Sequence, residues 1–354
     1  MRKLATAPFL CLIAALTGDG CMRLLTSLIL ALAATSASAQ DVADFYKGKT
    51  VRIIVGFSAG GGYDHYARVL SRHVGRHIPG QPNVIVQNMP GAASLNSVRF
   101  LATAAPTDGT VINAFNPGLI TQSLTAPKKI GVNFLDFAWI GSVTEDFRVC
   151  HTWKGTGIRD WQDLLKRPQV NFGVTGVGTS SYIDSKMLSD LFGVNVRQVT
   201  GYPGSTEKRI AIERGELDGD CVGWTSVPEN WIRENKVTVH LRFSRTLVAD
   251  MPATSLVARD VLTDPRKRQI LDLLTASSVV GRPYIAPKSV PADRLAALRT
   301  AFDRTLKDPE FVAEIKKQRL TIAPMSVPQI ETFLKDLHKT PADVVEATRK
   351  LSGD

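Results

Sequence analysis

Strand-type and helix-type segments alternate along most of this chain, joined by glycine-rich or polar loops rather than by hairpin turns. Residues 50–55 form a short β-branched run, a glycine loop follows, and helical spacing takes over at 66–74. A second strand is read at 83–86, a helix at 94–105 that Pro106 ends, and a third strand at 111–114. After β-type runs at 139–143 and 147–150 a second series begins. In it, helices at 160–166, 180–192 and 206–214 alternate with strands at 171–174, 196–200 and 220–224. Parallel strands need crossover helices, so two such series predict two parallel-type sheets and a two-lobed α/β chain. The tail from Pro291 is helical, with Leu295, Leu298, Phe302 and Leu306 on one face, and the apolar stretch 277–286 reads as a strand returning to the first sheet. Lobe one is therefore expected at 40–145 plus about 250–354, and lobe two at 146–249.

The first 39 residues stand apart from this pattern. Met22-Arg23, the apolar run 24–34 and Ala37-Ser38-Ala39 make a basic start, an apolar stretch and a small-residue cleavage site, which is the pattern of an export signal. The run is about half of the roughly 20 residues a membrane helix needs. A mature chain beginning at Gln40 in the periplasm is expected, whether translation starts at Met1 or at Met22. With 44% hydrophobic and 21% charged residues over 354 positions, collagen-like and disordered classes are excluded. Lys and Arg (43) outnumber Asp and Glu (33), which favours an anionic ligand. Nucleic acid is not the expected partner, because the basic residues are scattered rather than gathered with aromatics in a stripe.

Cys11 and Cys21 leave with the leader; Cys150 and Cys221 remain, each in a β-type run. They form a disulfide if those strands are neighbours, and are two buried thiols otherwise. Two separated cysteines are too few for zinc, and no metal or cofactor is expected.

Two glycine-rich loops carry the chemistry. Ser58, Ala59, Gly60, Gly61, Gly62, Tyr63 and Asp64 join the first strand to the first helix; Gly176, Gly178, Thr179 and Ser180 occupy the matching place in the second series. Glycines let backbone N–H groups approach an anion, and the following helix adds its positive end. Open α/β sheets bind ligands at the carboxyl ends of their strands, so two facing lobes would bring both loops to one cleft.

The run 46–55, the loop 57–64 leading into Ala67-Arg68, the run 86–92 (Val-Gln-Asn-Met-Pro-Gly-Ala) and the run 105–110 resemble the substrate-binding proteins of tripartite tricarboxylate transporters, the TctC or Bug receptors. Residues 176–179 and 201–205 match that family's second-lobe loops in order and approximate spacing. The resemblance spans nearly the whole mature chain. It implies a type II periplasmic-binding-protein (Venus flytrap) fold closing over a small carboxylate, expected here to be a di- or aromatic carboxylate. It also implies delivery to a membrane permease or docking on a sensor kinase, and a monomer is expected.

Carried onto this chain, the resemblance has Ser58 to Gly62 holding one carboxylate, with Asp64 orienting a water or else complementing the helix dipole, and Gly178, Thr179 and Ser180 gripping the other end. Asn116 and Tyr202 are cleft candidates by position, while Asn88 and Pro90 shape a loop. Tyr63 stands where the family has a small hydroxyl residue, which narrows the pocket or adds a phenolic donor. Trp224 is either an aromatic wall of the pocket or an ordinary packed residue.

Enzyme classes find little support. Gly176 and Gly178 lack the third glycine of a dinucleotide fingerprint, where Ser181 stands instead. His73 and His77 are four apart without the Glu of a metalloprotease, and are expected on the solvated face of the first helix. Gly56-Phe57-Ser58-Ala59-Gly60 has the spacing of a G-x-S-x-G elbow, but the histidines that a nucleophilic serine would need, His65, His151, His240 and His338, are scattered along the chain. A binding protein is expected rather than an enzyme, with a secreted hydrolase using Ser58 or Ser180 as the outsider.

Overall fold

The computed structural model describes residues 41–351; the expected leader, its cleavage site, the choice of start and Cys11 and Cys21 lie outside them. The strands are β1 (Thr50–Val55), β2 (Asn83–Asn88), β3 (Val111–Ala114), β4 (Phe137–Ser142), β5 (Arg148–Trp153), β6 (Val170–Gly173), β7 (Val196–Val199), β8 (Gly219–Gly223), β9 (Val237–Arg242), β10 (Leu256–Val257) and β11 (Pro283–Pro287). They make a five-stranded sheet in the order β2-β1-β3-β11-β4 and a six-stranded sheet in the order β10-β9-β5-β8-β6-β7. Ile53, Ile54 and Val55 of β1 are buried on both faces, as strands covered by helices on either side must be. The fold is a two-lobed α/β fold of the type II periplasmic-binding-protein kind.

Both sheets are mixed, where the βαβ alternation predicts parallel ones. In the first, β11 runs antiparallel to β3 and β4; in the second, β5 runs antiparallel to β8 and β9. Each is the strand that has just crossed from the other lobe. A chain that leaves one sheet at its carboxyl end and enters the facing sheet directly, without a crossover helix, runs against the strands already there.

The two crossings lie side by side. Val143 N donates to Arg282 O at 3.1 Å, Arg282 N to Thr144 O at 3.2 Å, and Asp146 N to Ser278 O at 2.8 Å. The return to the first sheet therefore comes later than the expected position near 250. Leu256 and Val257 still pair with β9, and the helix Pro265–Thr275 buries Ile270, Leu271 and Leu274 against Phe172 and the cysteines of the second lobe. Two residues are too short a run to read as a strand, which is why that extension is invisible in the sequence.

On β5 and β8, Cys150 faces Cys221 in register, and the two form a buried disulfide with Cα atoms 4.0 Å apart. The helix Ala292–Lys307 packs Leu298, Ala301, Phe302 and Leu306 into the first lobe's core, the face expected from its spacing save for half-buried Leu295. Among the described residues no helix is long and apolar enough to cross a membrane.

His73 and His77 are not on a solvated face. His73 Nε2 meets Glu314 at 2.6 Å and His77 Nε2 meets Asp308 at 2.7 Å, so both tie the first helix to the tail. The acidic partners lie too far along the chain for helical spacing to reveal.

Candidate ligand-binding site

The carboxyl ends of β1 and β3 face those of β6 and β8, and the two glycine loops meet there. Contact between the lobes is close enough that side chains would block it. A Cβ on Gly62 would come within 2.6 Å of Ser226 Oγ, and one on Gly178 within 2.3 Å of the Gln122 side chain. Polar contacts close the seam. Gly62 N donates to Ser226 Oγ (3.2 Å), Ser58 Oγ to Glu207 (3.0 Å), Thr206 Oγ1 to Ala59 O (3.0 Å), and Arg209 to Gly60 O (3.0 Å). On the other side Ser180 Oγ donates to Asn116 Oδ1 at 2.6 Å, and Gln122 Nε2 donates to Gly178 O.

These contacts redistribute the expected roles. Gly61, Gly62, Tyr63, Asn116, Thr179 and Ser180 line a cleft of about 50 Å³ between the lobes. The polar groups of Ser58, Ala59 and Gly60 are occupied by the seam or by the loop itself, so these three latch the lobes rather than face the cleft. Asp64 lies behind the loop, where it accepts from Gly60 N (2.8 Å), Arg68 Nε (2.8 Å) and Asn88 Nδ2 (3.0 Å). Burial pushes its carboxyl up, but these donors outweigh burial and hold it below the usual carboxylate range. Its role is to brace the loop. Gly176 takes φ = 146° and its carbonyl accepts from Thr179 Oγ1 (2.8 Å), while Thr179 caps the helix Ser180–Asp190. Trp224 is the packed alternative: its ring is buried in the second lobe's core and its Nε1 donates to Ala249 O at 3.0 Å. It borders a separate cavity together with Arg209. Tyr202 lies at neither loop; it lines a cavity that adjoins the cleft.

The floor of the cleft holds charges that motif reading did not single out. Arg148, on β5, pairs with Asp146 at 3.1 Å and with Asp184. Arg282, on the returning crossing, pairs with Asp146 at 2.9 Å. Lys208, also at the cleft, pairs with Asp220 at 2.5 Å, and His151 meets the other Asp220 oxygen at 2.8 Å. All of these side chains are buried. The signal for the two arginines was present: each interrupts an otherwise apolar, strand-type run, where a charge is buried only with partners.

The two aspartates beside Arg148 are driven apart. Burial raises both, but Asp146 lies between two guanidinium groups, which outweigh burial and bring it below the usual range. Asp184 has burial as the dominant influence and Arg148 as its opposing partner, and is pushed up to about 6. Burial also raises the Tyr63 phenol, so it remains an O–H donor at any physiological pH. Its ring is held between Phe57, stacked at 4.8 Å, and the Arg282 guanidinium, 4.4 Å from the ring centre.

Five buried polar atoms of cleft-lining residues have no hydrogen-bond partner, and one of them, Asp146 Oδ1, is held by its ion pair with Arg282 at 2.9 Å. The other four, Tyr63 Oη, Asn116 Nδ2, Arg148 Nη2 and Arg282 Nε, are all donors. Tyr63 and Asn116 come from the first lobe, Arg148 from the second and Arg282 from the crossing. Buried donors without acceptors cost free energy, and a guest that only accepts hydrogen bonds relieves that cost. Neither Ser58 nor Ser180 has a histidine partner, since their hydroxyls bond Glu207 and Asn116. Among the described residues no group of three His, Cys, Asp or Glu side chains is arranged to hold a metal ion.

Comparison with known proteins identifies the family and the fold. The model of the tripartite tricarboxylate transporter family receptor (TctC) matches residues 66–349. The chain belongs to this family. A TctC relative from Cupriavidus necator, the UPF0065 protein in the gbd 5' region, is 38% identical over 334 residues, covering 90% of this chain and 92% of its own. Another, from Pseudomonas sp. (strain P51), is 24% identical over 342 residues and 93% of each chain. Among solved structures, the periplasmic binding protein BugD superposes with a TM-score of 0.69 at 21% identity over 86% of this chain and 98% of its own. MatC from Rhodopseudomonas palustris with bound malate gives 0.66 at 19% over 84% and 99%. An R. palustris protein with adipate gives 0.68 at 15% over 86% and 97%. This TctC receptor shares their two-lobed architecture.

Proposed function

We propose that this TctC receptor is exported through its N-terminal leader, captures a small organic carboxylate between its lobes and delivers it to a tripartite tricarboxylate-type permease. The carrying observation is the set of four unpartnered donors drawn from both lobes and the crossing onto one cleft. A carboxylate offers only acceptors, and its charge strengthens each bond relative to a neutral partner. Because the donors belong to both lobes, the ligand binds the closed arrangement better than the open one and selects it. Solved relatives of the same architecture hold malate and adipate, which supports a carboxylate as the guest. The relatives are binding proteins, and the serine contacts above favour capture over turnover.

A thermal-shift screen of mono-, di- and tricarboxylates with the mature chain tests this reading. A ligand selective for the folded state raises Tm in proportion to the logarithm of its concentration above Kd. The expected result is a saturable shift by at least one acid, with stoichiometric heat in calorimetry and no product formed. No shift by any acid, or turnover of a carboxylate ester lost on Ser180→Ala, contradicts it.

A further inference from the structure

The cleft that holds the four donors is small, and the space beside it has different chemistry. Phe57 and Thr175 line both the donor cleft, of about 50 Å³, and an adjoining cavity of about 240 Å³. The larger cavity is bounded by Pro90, Gly91 and Ala93 on one side and by Tyr202 and Pro203 on the other, and no charged side chain lines it. A carboxylate group fits the first space; the remainder of a larger acid has room in the second.

The wall beside Gly91 is built under backbone strain. Ala92, Ala93 and Ser94 take φ of 45°, 59° and 71°, three successive non-glycine residues in the left-handed region. Such a run persists only where its surroundings over-determine it, and it occurs preferentially at ligand clamps. Here the surroundings are the cleft itself. Ser94 Oγ accepts from the backbone N of Asn116 at 2.8 Å, and Ser94 presses so close to Gly56 that a Cβ there would meet its Cβ at 2.0 Å. The strained segment thus ties the wall of the second cavity to a residue of the first.

Charge balance gives the nature of the guest. Around the donor cleft Arg148, Arg282 and Lys208 face Asp146, Asp184 and Asp220, with His151 on the second Asp220 oxygen, so the basic groups exceed the carboxyl groups by at most one. That set accommodates one added negative charge more readily than two. The cationic cavity bordered by Arg209, Lys317 and Arg319 lies across the seam, where Gly62 N and Ser226 Oγ close the way at 3.2 Å.

We infer that the ligand is a monocarboxylate with an uncharged, apolar tail, its head on the Arg148 and Tyr63 donors and its tail between the strained 92–94 wall and Tyr202. This rests on the carboxylate-receptor reading above and narrows it, and it departs from the dicarboxylate half of the expectation drawn from family resemblance.

Calorimetry of the mature chain with hexanoate and adipate, equal in length and differing by one carboxylate, tests it. Hexanoate binds at least 10-fold more tightly in the unaltered protein. Tyr202→Arg, which places a cation beside the tail, narrows that ratio at least fivefold while leaving the ligand-free Tm unchanged. Adipate binding as tightly as hexanoate or more so overturns the inference, and sensitivity of that binding to Tyr63→Phe then leaves the carboxylate-receptor reading intact. Loss of adipate preference in Arg209→Gln, in that case, assigns the distal carboxylate to the cavity across the seam. Failure of every acid to bind overturns both readings.

Discussion

Asp146 and Arg282 lie on the two chain crossings and pair at 2.9 Å beneath the ligand cleft. The segments that join the lobes therefore also form the floor of the cleft. An acceptor that takes up the unpartnered Nε of Arg282 would act directly on the pair that ties the two crossings together. Both side chains are buried, Arg282 at 3% exposure and Asp146 at 2%. Removing one partner of a buried pair costs about 3–5 kcal/mol when the other charge is left alone, but Asp146 keeps Arg148 at 3.1 Å. Arg282→Met is therefore expected to lower unfolding free energy by less than that, about 1–3 kcal/mol in urea without ligand present. A loss below about 1 kcal/mol would show that the pair does not help to hold the two crossings together.

Asp184 gives the protein a pH signature. Its folded-state value of about 6 lies above the ordinary 3.8, with Arg148, Asp146 and Lys208 as the neighbouring charges. The folded state thus holds the proton more tightly than the unfolded chain. This contribution is fully present below about pH 4 and is lost as pH rises through 6, a difference of about 3 kcal/mol by linkage. Unfolding free energies of the wild type and Asp184→Asn, measured from pH 4 to 7, are expected to differ by an amount that changes in that direction across this window. A constant difference contradicts the assignment. Carboxylate binding beside Arg148 raises Asp184 further, so calorimetry at pH 6.5 in buffers of different ionisation enthalpy should show proton uptake.

The disulfide closes a loop between residues 71 apart in sequence. Chain-entropy estimates for such a loop give about 4 kcal/mol. Reduction, or Cys150→Ala with Cys221→Ala, is expected to lower Tm by several degrees. Cys221 also lines the cleft, so affinity should fall in parallel. An unchanged Tm on complete reduction contradicts a structural role.

Neighbouring glycines of the first loop should respond differently. A Cβ at Gly62 meets Ser226 Oγ at 2.6 Å and Arg282 Nη2 at 3.2 Å, whereas one at Gly61 has its nearest neighbour at 3.9 Å. Gly62→Ala is expected to hold the lobes apart and weaken binding at least 10-fold with the fold retained, and Gly61→Ala to bind within about threefold of wild type. Small-angle scattering checks the first variant for a larger radius of gyration in ligand. Equal affinities for the two would show that closure does not depend on this contact.

Much of the architecture was legible because it rests on local periodicity. The strand at 50–55, its glycine loop and the helix read at 66–74 follow from spacing, although that helix already begins at Gly62, and Cys150 and Cys221 pair because two β-type runs proved to be neighbours. Arg148 and Arg282 were legible singly, as charges interrupting apolar runs, but their convergence into one charged floor was not. Arg148 and Arg282 converge only because β5 and β11 are the strands that cross between lobes, a property of topology that no window of sequence contains. Asp64 and Trp224 were each left with two readings by the sequence. Each has the chemistry of a ligand contact, yet the same chemistry serves to brace a loop or fill a core, and burial decides between them. The Ala92–Ser94 strain gives no compositional sign, since alanine and serine ordinarily avoid positive φ.

Tyr63→Phe tests the central claim most directly, because it deletes one unpartnered donor and nothing else. A buried hydroxyl without a partner costs the ligand-free protein stability, whereas the same hydroxyl bonded to a carboxylate contributes about 1.5–3 kcal/mol. Calorimetry and thermal unfolding of this variant are expected to show affinity for the bound acid reduced about 10-fold or more, with a ligand-free Tm equal to or above wild type. Unchanged affinity would mean that the four donors do not receive the anion.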